Sequence, residues 1–260
     1  MKKFAKRLSV KQVDFLREDY ILLRLSDDDE LIPQMLPGQF VNIAVEGSPN
    51  TFLRRPISIN FVDNVRNEFD LLIHAVGDGT RALTRLSAGD TLDCLYPLGN
   101  GFEVPTFDGI PRKHLLVGGG VGTAPMLLYG QQLRAAGHEP TFLLGGRSQR
   151  DILQLDRFSA LGRVCITTED ATLGEKGFVT HHSIWQTDEF NSVAACGPQP
   201  MMVAVARMAR EKGWECFVSL ENLMACGIGA CLCCVEKTVK GNVCVCTEGP
   251  VFNTNELTWE

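Results

Sequence analysis

The stretch that decides the fold is residues 115–125, which read Leu-Leu-Val-Gly-Gly-Gly-Val-Gly-Thr-Ala-Pro. A short apolar strand runs into a glycine loop, and Pro125 suits the first turn of a following helix, where its missing N–H would have no partner. The free N–H groups and the positive end of that helix form a pyrophosphate site. Gly118 and Gly120 match the dinucleotide-binding pattern G-x-G-x-x-G, whereas Thr123 stands at the third glycine. A tight turn without a ligand is the alternative interpretation.

Short apolar strands alternate with helices in the chain around this loop. The predicted strands are 114–117, 141–144, 163–167 and 193–196, and the predicted helices are 125–136, 151–161 and 200–212. Such alternation indicates a parallel sheet covered on both faces. A second loop, Cys196-Gly197-Pro198, follows the last of these strands. Because parallel sheets bind ligands beyond the carboxyl ends of their strands, we expect both loops at one edge of the sheet.

The residues that we assign to a nucleotide site lie in these loops and at a neighbouring strand end. They are Gly119, Gly120, Gly122, Thr123, Pro125, Arg147, Cys196, Gly197 and Pro198. Cys196 either contacts a nicotinamide ring or fills a tight corner, and Arg147 either contacts the NAD phosphates or ribose or is a solvated loop residue. Glu169 or Asp170, at the end of the next strand, can accept a hydrogen bond from a ribose hydroxyl, which disfavours a 2′-phosphate.

The region before the break at 105–111 has a different pattern. Its apolar residues come in short runs at 20–25, 40–45, 55–61 and 69–76, separated by turn residues such as Pro37-Gly38 and Gly89-Asp90. Only one short helix is predicted here, at 79–86. Several strands with a single short helix indicate an antiparallel barrel.

The end of the chain holds six of the ten cysteines, which we expect to bind a metal centre. Cys226, Cys231 and Cys234 have the C-x4-C-x2-C spacing of a plant-type [2Fe–2S] cluster, whose fourth thiolate lies further along the chain. Zinc is the alternative, although only Cys231 and Cys234 have the spacing of a zinc knuckle.

Cys244 and Cys246 compete for the fourth ligand position. Both follow a predicted hairpin turn at 240–242, and two residues apart on one strand they would face the same side, so side-chain direction does not choose between them. Cys233 is expected to point away from the cluster and to be a small buried hydrophobic residue.

Composition restricts the class of protein. The 260 residues are 45% hydrophobic and 22% charged, which excludes a disordered or membrane-spanning chain. The net charge of −6 argues against binding to the phosphate backbone of a nucleic acid. The basic start at 2–7 lacks the apolar segment of a secretion signal, so we expect a cytoplasmic protein, in which clustered cysteines bind metal or do redox chemistry.

The ordered set of Arg55-Pro56-Ile57-Ser58, the glycine loop, Cys196-Gly197-Pro198 and the cysteine tail resembles the ferredoxin reductase superfamily over nearly the whole chain. The tail at 219–252 looks specifically like that of the electron transfer subunits of NAD-dependent dihydroorotate dehydrogenases. The resemblance implies a β plus α/β fold in three parts: an antiparallel FAD-binding barrel at 1–105, a Rossmann-like NAD domain with a parallel sheet at 106–215, and a small [2Fe–2S] segment at 216–260.

The same resemblance implies the roles of further residues. The motif Arg55-Pro56-Ile57-Ser58 would bind the flavin, with Arg55 and Ser58 in contact with the flavin and its phosphates. The wider superfamily often has tyrosine where Ile57 stands. The next strand would meet the flavin through Leu72, Ile73 and His74, and Gly79 and Thr80 would hold the pyrophosphate. The family places its fourth cluster cysteine three residues before Gly-Pro-Val-Phe, which selects Cys246.

FAD would therefore lie between NAD, which carries hydride, and a cluster that takes single electrons, so no catalytic acid or base is assigned to the chain. The resemblance implies that dihydroorotate is oxidised on a separate FMN-containing subunit, in a heterotetramer with two copies of each chain, in pyrimidine synthesis. The cluster segment would face that partner. The alternatives are a reductase subunit that serves a hydrogenase or a ferredoxin transhydrogenase, and a zinc-containing regulatory module without redox activity.

Overall fold

A closed antiparallel barrel forms the first part of the computed structural model, which describes residues 2–259. Its strands are β1 (Phe4–Arg17), β2 (Tyr20–Ser26), β3 (Phe40–Ile43), β4 (Arg55–Asp63), β5 (Glu68–His74) and β6 (Thr91–Leu98). They pair in the order β1-β2-β5-β4-β3-β6, and β6 pairs back onto β1. The barrel expected from the sequence is confirmed.

Two of these strands, β1 and β6, are absent from the predicted set because polar residues interrupt their apolar pattern. Along β1, charged side chains face solvent and only Leu8 and Val10 are fully buried in the barrel core. The short helix predicted at 79–86 is present as α1 (Asp78–Leu83).

A seven-stranded sheet forms the second part of the fold. Its strands are β7 (Lys113–Gly119), β8 (Glu139–Gly146), β9 (Arg163–Thr168), β10 (Glu175–Lys176), β11 (Ser192–Cys196), β12 (Glu215–Ser219) and β15 (Val251–Asn253). Between β12 and β15, the strands β13 (Val235–Thr238) and β14 (Gly241–Cys244) form a separate hairpin. The order in the sheet is β10-β9-β8-β7-β11-β12-β15, and all pairs except β12 with β15 are parallel. The helices are α2 (Thr123–Ala135), α3 (Leu155–Leu161), α4 (Ile184–Thr187), α5 (Gln199–Lys212) and α6 (Val245–Glu248). The predicted Rossmann-like sheet is confirmed.

The helix predicted at 151–161 is wrong in its first half. Gln149–Asp151 forms a 3-10 turn, and α3 begins only at Leu155. Gln154 between them has φ 57° and ψ 29°, a left-handed conformation that a right-handed helix cannot contain. Its side-chain amide exchanges two hydrogen bonds of 3.1 Å with Asn60 of the barrel, so the interruption serves the contact between barrel and sheet.

The barrel is also tied to the sheet domain by charged groups. Arg157 of α3 donates to Asp70 Oδ2 at 2.9 Å and lies over the ring of Phe61, with its guanidinium carbon 4.4 Å from the ring centroid. Arg17 at the end of β1 donates to Asp151 Oδ1 at 2.6 Å. These contacts fix the barrel against the sheet domain.

The C-terminal segment is built into the sheet. Strand β15 extends the sheet edge beside β12, and Leu220 N donates to Pro250 O at 2.9 Å. The sheet therefore contains residues from both sides of position 215, and the division into three parts stays a prediction. Within residues 2–259, none of the helices combines the length and the apolar character that crossing a membrane requires.

Candidate functional site

The Arg55–Ser58 motif begins β4, directly beside β3, with Val41 opposite Ile57 and Asn42 opposite Pro56. Ile57 packs against the barrel core, and because side chains alternate along a strand, Pro56 and Ser58 are on the outer face. Ile57 thus has a packing role in the barrel. The outer face of this strand is available for a ligand.

Arg55 lies over the start of α1. Its Nε is buried and has no hydrogen-bond partner among the described residues, and a Cβ atom added to Gly79 would be 2.7 Å from it. A buried guanidinium N–H without a partner fits a phosphate oxygen, because such groups are nearly always paired. The Thr80 hydroxyl accepts from Gly77 N and donates to Gly77 O, both at 3.1 Å, and so braces the turn before α1.

The end of β5 has two faces. Ile73 is completely buried in the barrel core, so of the three residues predicted to meet a flavin it offers only its backbone. Leu72 faces the sheet domain and packs with Tyr20 and Ala124. The His74 ring stacks on Tyr20 with centroids 4.1 Å apart, and its Nε2 is 3.1 Å from Asp19 Oδ2.

The two glycine loops touch each other. Cys196 pairs with Gly118 across β11 and β7, and a Cβ atom on Gly122 would be 2.4 Å from the carbonyl oxygen of Cys196. A Cβ atom on Gly119 would be 2.7 Å from Met201 Sδ. Only glycine fits at these positions, because a larger side chain would overlap the second loop or the helix that follows it. The expectation that both loops share one edge of the sheet agrees with this packing.

Thr123, at the third glycine of the pattern, is buried and donates from Oγ1 to Gly120 O at 3.0 Å. It therefore closes the loop on itself. Pro125 is also buried in the first turn of α2, which begins at Thr123. Gly197 follows with φ 150°, where a Cβ atom would be 2.8 Å from Met201 Cε.

Arg147 and Pro198 are exposed at the same edge. Arg147 O accepts from Asp170 N at 3.1 Å, which places Arg147 beside the carboxylate pair Glu169 and Asp170. Thr167, at the end of β9, was not predicted; its Oγ1 is buried without a partner among residues 2–259. An unpaired hydroxyl at this edge fits a polar ligand, and its only sequence signal is its place at a strand end.

Glu221 is another residue that the sequence pattern does not reveal. Its Oε1 is 3.9 Å from Cys196 Sγ, although it is 25 residues away in the sequence. Glu221 keeps an exposed surface, but the protein packed around its carboxyl raises the pKa of that group. Burial and the neighbouring Glu221 raise the pKa of the Cys196 thiol well above its ordinary value, so Cys196 is a neutral thiol at neutral pH.

Three cysteine sulfurs of the tail accept hydrogen bonds from backbone N–H groups. Cys226 Sγ accepts from the N–H of Cys231 at 3.4 Å and from that of Ile228 at 3.5 Å, Cys246 Sγ from Gly229 N at 3.2 Å, and Cys234 Sγ from Cys246 N at 3.4 Å. Burial opposes the Cys226 thiolate, but these N–H groups outweigh it and lower the pKa of Cys226 to about 6. The loop is arranged to stabilise negative sulfur.

The Cys226 sulfur contacts that of Cys231, and the Cys234 sulfur contacts those of both Cys246 and Cys244. Within residues 2–259, no three His, Cys, Asp or Glu side chains converge as a single metal ion requires. Several cysteine sulfurs grouped in this way suit a binuclear iron–sulfur cluster, which has four cysteine ligands. Burial and the nearby Cys234 sulfur raise the pKa of Cys246 to about 12, so a bound cation is what would deprotonate it.

The expectation that Cys244 and Cys246 share a strand is wrong. Strand β14 ends at Cys244, and Cys246 lies in α6, where it is buried while Cys244 is half-buried. The expected burial of Cys233 is also wrong, because this residue is exposed. Leu232 before it has a φ of 56°, and the turn carries this part of the loop outside the hydrophobic core.

Known proteins share both halves of this arrangement. Residues 221–258 match the iron-sulfur cluster binding domain of dihydroorotate dehydrogenase B, and residues 116–207 match the oxidoreductase NAD-binding domain. The chain is 38% identical over 263 residues to the dihydroorotate dehydrogenase B (NAD(+)), electron transfer subunit of Shouchella clausii, with 99% of each chain covered. It is 40% identical over 237 residues to the same subunit of Lysinibacillus sphaericus, covering 89% of this chain and 90% of that one.

Solved structures have the same fold. An NADH-dependent reduced ferredoxin-NADP oxidoreductase matches with a TM-score of 0.85 and 28% identity, over 97% of this chain and 90% of that one. The ferredoxin reductase of carbazole 1,9a-dioxygenase matches with a TM-score of 0.68 and 22% identity, over 82% and 67%. The oxidoreductase class, the cluster-binding tail, the NAD domain and the ferredoxin reductase fold expected from the sequence are confirmed. The chain belongs to the family of electron transfer subunits of dihydroorotate dehydrogenase B.

Proposed function

We propose that this chain carries electrons from an FMN-containing dihydroorotate dehydrogenase subunit through a [2Fe–2S] cluster and FAD to NAD+, in pyrimidine synthesis. The net reaction converts dihydroorotate and NAD+ to orotate, NADH and a proton. One observation carries the proposal: the Arg55–Ser58 strand has the cysteine loop on its β3 side, while the neighbouring strand β5 packs against the glycine-loop domain. A flavin on this wall would lie between the two other centres.

Bound FAD exchanges two electrons with NAD and single electrons with the cluster. The chain supplies the positions. Arg55 would bind the flavin phosphates through its unpaired Nε, and Ser58 and Pro56 would line the flavin from the outer face of β4. Leu72 and His74 would add contacts from β5, with Ile73 contributing only backbone and Ile57 supporting the strand from inside. Gly79 leaves the room that Arg55 needs, and Thr80 holds the turn.

The nucleotide would lie along the edge formed by the two glycine loops. Gly119, Gly120, Gly122, Thr123 and Pro125 supply a close backbone surface, and Gly197 and Pro198 supply the opposing one. Cys196, as a neutral thiol beside Glu221, would contact the nicotinamide without attacking it. Glu169 and Asp170 beside Arg147 would accept from ribose hydroxyls and repel a 2′-phosphate, which favours NAD.

Cys226, Cys231, Cys234 and Cys246 would hold the cluster, and the partner would dock beside it. Next to the exposed Cys231 lie apolar side chains that solvent reaches: Leu223 is 86% exposed, Leu232 65% and Ile228 50%. Exposed apolar groups of this kind mark interaction surfaces. We propose a heterotetramer with two copies of each subunit, in the cytoplasm, where the cysteine thiols outside the cluster would stay reduced.

Reconstitution tests this function. The purified chain should show flavin absorbance with a red-brown shoulder, and after mixing with the FMN subunit it should reduce NAD+ when dihydroorotate is added. Cys231→Ser should leave reduction of FAD by NADH largely intact but block electron exchange with the partner. A colourless protein with stoichiometric zinc would reject the redox function, and loss of flavin together with the cluster in Cys231→Ser would show that the tail is structural.

A second candidate is a reductase subunit of the same superfamily that serves another partner, such as a hydrogenase or a ferredoxin transhydrogenase. The structural likeness to the NADH-dependent reduced ferredoxin-NADP oxidoreductase favours retaining it. Ferredoxin reduction by NAD(P)H, with no NAD+ reduction from dihydroorotate in the reconstituted complex, would establish this candidate instead.

A further inference from the structure

Two asparagines of the barrel hold the cysteine-bearing segments. Asn42 on β3 is completely buried, and its Nδ2 donates to the carbonyl oxygens of Ala225 at 3.4 Å and Cys226 at 3.3 Å. Asn100, just beyond β6, donates from Nδ2 to Thr247 O at 3.0 Å and to Glu248 O at 3.1 Å. Each asparagine therefore binds two consecutive carbonyls, one beside Cys226 and the other directly after Cys246.

The Asn42 amide is oriented by these contacts. Two carbonyl oxygens require a donor, so Nδ2 faces the loop, and Oδ1 is left buried with no partner among the described residues. A buried polar atom without a partner costs stability, and an apolar residue would serve the barrel better at this position. The amide therefore serves the cysteine loop rather than the barrel.

The contact also sets the direction of the peptide groups around Cys226. In a planar trans peptide the C=O and N–H point in opposite directions. With the oxygens of Ala225 and Cys226 held against the barrel, the N–H groups of Cys226 and Gly227 point away from it. A backbone that turned its carbonyls toward the sulfurs would oppose the negative charge that the neighbouring N–H groups stabilise.

Asn42 is directly joined to the strand of the flavin motif. It lies opposite Pro56 in the β3–β4 register, and Arg54 Nη1 donates to Asn42 O at 3.3 Å. Gly227 completes the fit on the loop side: its φ is 72°, and a Cβ atom there would be 2.8 Å from Asn42 Nδ2. One residue thus spans from the motif strand to a cluster cysteine.

We propose that Asn42 is a positioning residue that fixes the Cys226 loop against the flavin-binding strand, with Asn100 doing the same for the Cys246 segment. This inference rests on the proposed function, because it concerns the cluster and the flavin of that scheme. Asn42 sets both the distance between the two centres and the retention of the cluster.

The experiment compares the purified full chain with Asn42→Leu, which keeps the branching of the side chain and removes the donor. Iron release to a chelator should be about tenfold faster in the variant, since two hydrogen bonds are lost. The electron paramagnetic resonance spectrum of the reduced cluster should broaden or shift. In stopped flow, NADH should reduce the flavin at the wild-type rate, while the cluster should be reduced more slowly.

Asn60→Leu is the matched control. Asn60 is equally buried on the adjacent strand, but it binds Gln154 of the sheet domain instead of the cysteine loop. Its iron release and resonance spectrum should equal those of the wild type. Asn42→Ser, which keeps a shorter donor, should fall between Asn42→Leu and the wild type.

The outcomes separate the two claims. A wild-type chain without an iron–sulfur cluster overturns the proposed function. A wild-type chain with a cluster, and an Asn42→Leu variant with the same iron release and spectrum, overturns only the positioning role. If both Asn42 variants lost flavin and cluster to the same extent and had equally lowered melting temperatures, Asn42 would support the barrel itself. That result would also overturn the positioning role.

Discussion

Gly79→Ala should separate flavin binding from folding. The added methyl group would be 2.7 Å from Arg55 Nε and 3.1 Å from Thr51 Cγ2, so the guanidinium must move. Arg55 is a flexible side chain whose Nε has no partner within residues 2–259, so its movement costs the flavin-free protein little. Gly79 lies inside α1, where alanine stabilises a helix by about 0.5–1 kcal/mol relative to glycine. The melting temperature of the flavin-free chain should stay the same or rise.

FAD affinity should fall in the same variant. A hydrogen bond to a charged group contributes about 1.5–3 kcal/mol, so displacing Arg55 from the flavin phosphates should weaken binding about 10- to 150-fold. Flavin fluorescence quenching on titration of the flavin-free protein measures this Kd. Because the loss acts through Arg55, Gly79→Ala should have almost no further effect on the Kd in an Arg55→Ala background.

Gly77→Ala is the control, two residues away in the same turn. A methyl group there would meet no atom within 4 Å, so FAD should bind as in the wild type, although alanine is a poorer helix N-cap than glycine. Wild-type FAD affinity in Gly79→Ala would refute the assignment of Arg55 to the phosphates. An equal loss of affinity with and without Arg55 would refute the steric route.

Three other perturbations test separate parts of the molecule. Cys246→Ser should lose the cluster, measured as iron and sulfide per flavin, whereas Cys244→Ser should keep it; the reverse result would exchange the two ligands. Burial lowers the pKa of His114 from 6.5 to about 4, so the unfolded chain takes up this proton first. The contribution of His114 to stability is complete above pH 6.5 and is lost as the pH falls toward 4. The free energy of unfolding in urea should therefore fall by about 2 kcal/mol between pH 7 and pH 5. A His114→Leu variant whose unfolding free energy has the same pH slope would contradict this. Gly122→Ala should destabilise the fold by about 1–3 kcal/mol and weaken NAD+ binding, because its methyl group would be 2.4 Å from the carbonyl oxygen of Cys196. Unchanged melting and NAD+ titration curves would show that the methyl group does not overlap the second loop.

Local sequence patterns were sufficient for the elements that carry their own signal. The strand, glycine loop and helix at 113–135 follow from residues adjacent in the chain, and the parallel pairing of β7 with β11 then brings Gly122 to Cys196. The C-x4-C-x2-C spacing likewise carries the chemistry of the tail within nine residues. In each case the physical cause is short-range: a helix start, a tight turn or a loop that wraps a cluster.

Contacts between distant residues left no pattern to recognise. Asn42 is separated from Cys226 by 184 positions. In the sequence it is a single polar residue within an apolar strand, and its role is evident only from the contact with the cysteine loop. Gln154 looks like an ordinary helix residue, yet its contact with Asn60 imposes a left-handed backbone that interrupts the helix. The family resemblance groups Ile73 with Leu72 and His74 as a flavin contact, but strand alternation points its side chain into the barrel core.

The position of the cluster segment is determined by both larger parts of the fold. Its Cys226 loop is held by Asn42 and the residues after Cys246 by Asn100, whose backbone N also donates to Gly249 O at 2.6 Å, while β15 continues the sheet beside β12. A hinge movement that separated barrel from sheet on the side of the cysteines would have to break either the asparagine contacts or the β15 pairing. The rate of electron transfer falls steeply with distance. A cluster fixed to the flavin strand therefore keeps its transfer rate to the flavin when the nucleotide edge moves. Movement of barrel and sheet apart for NAD exchange is therefore expected to occur on the side of Leu72 and the glycine loops, where apolar contacts and the half-buried Arg17–Asp151 ion pair can separate without disturbing the cysteines.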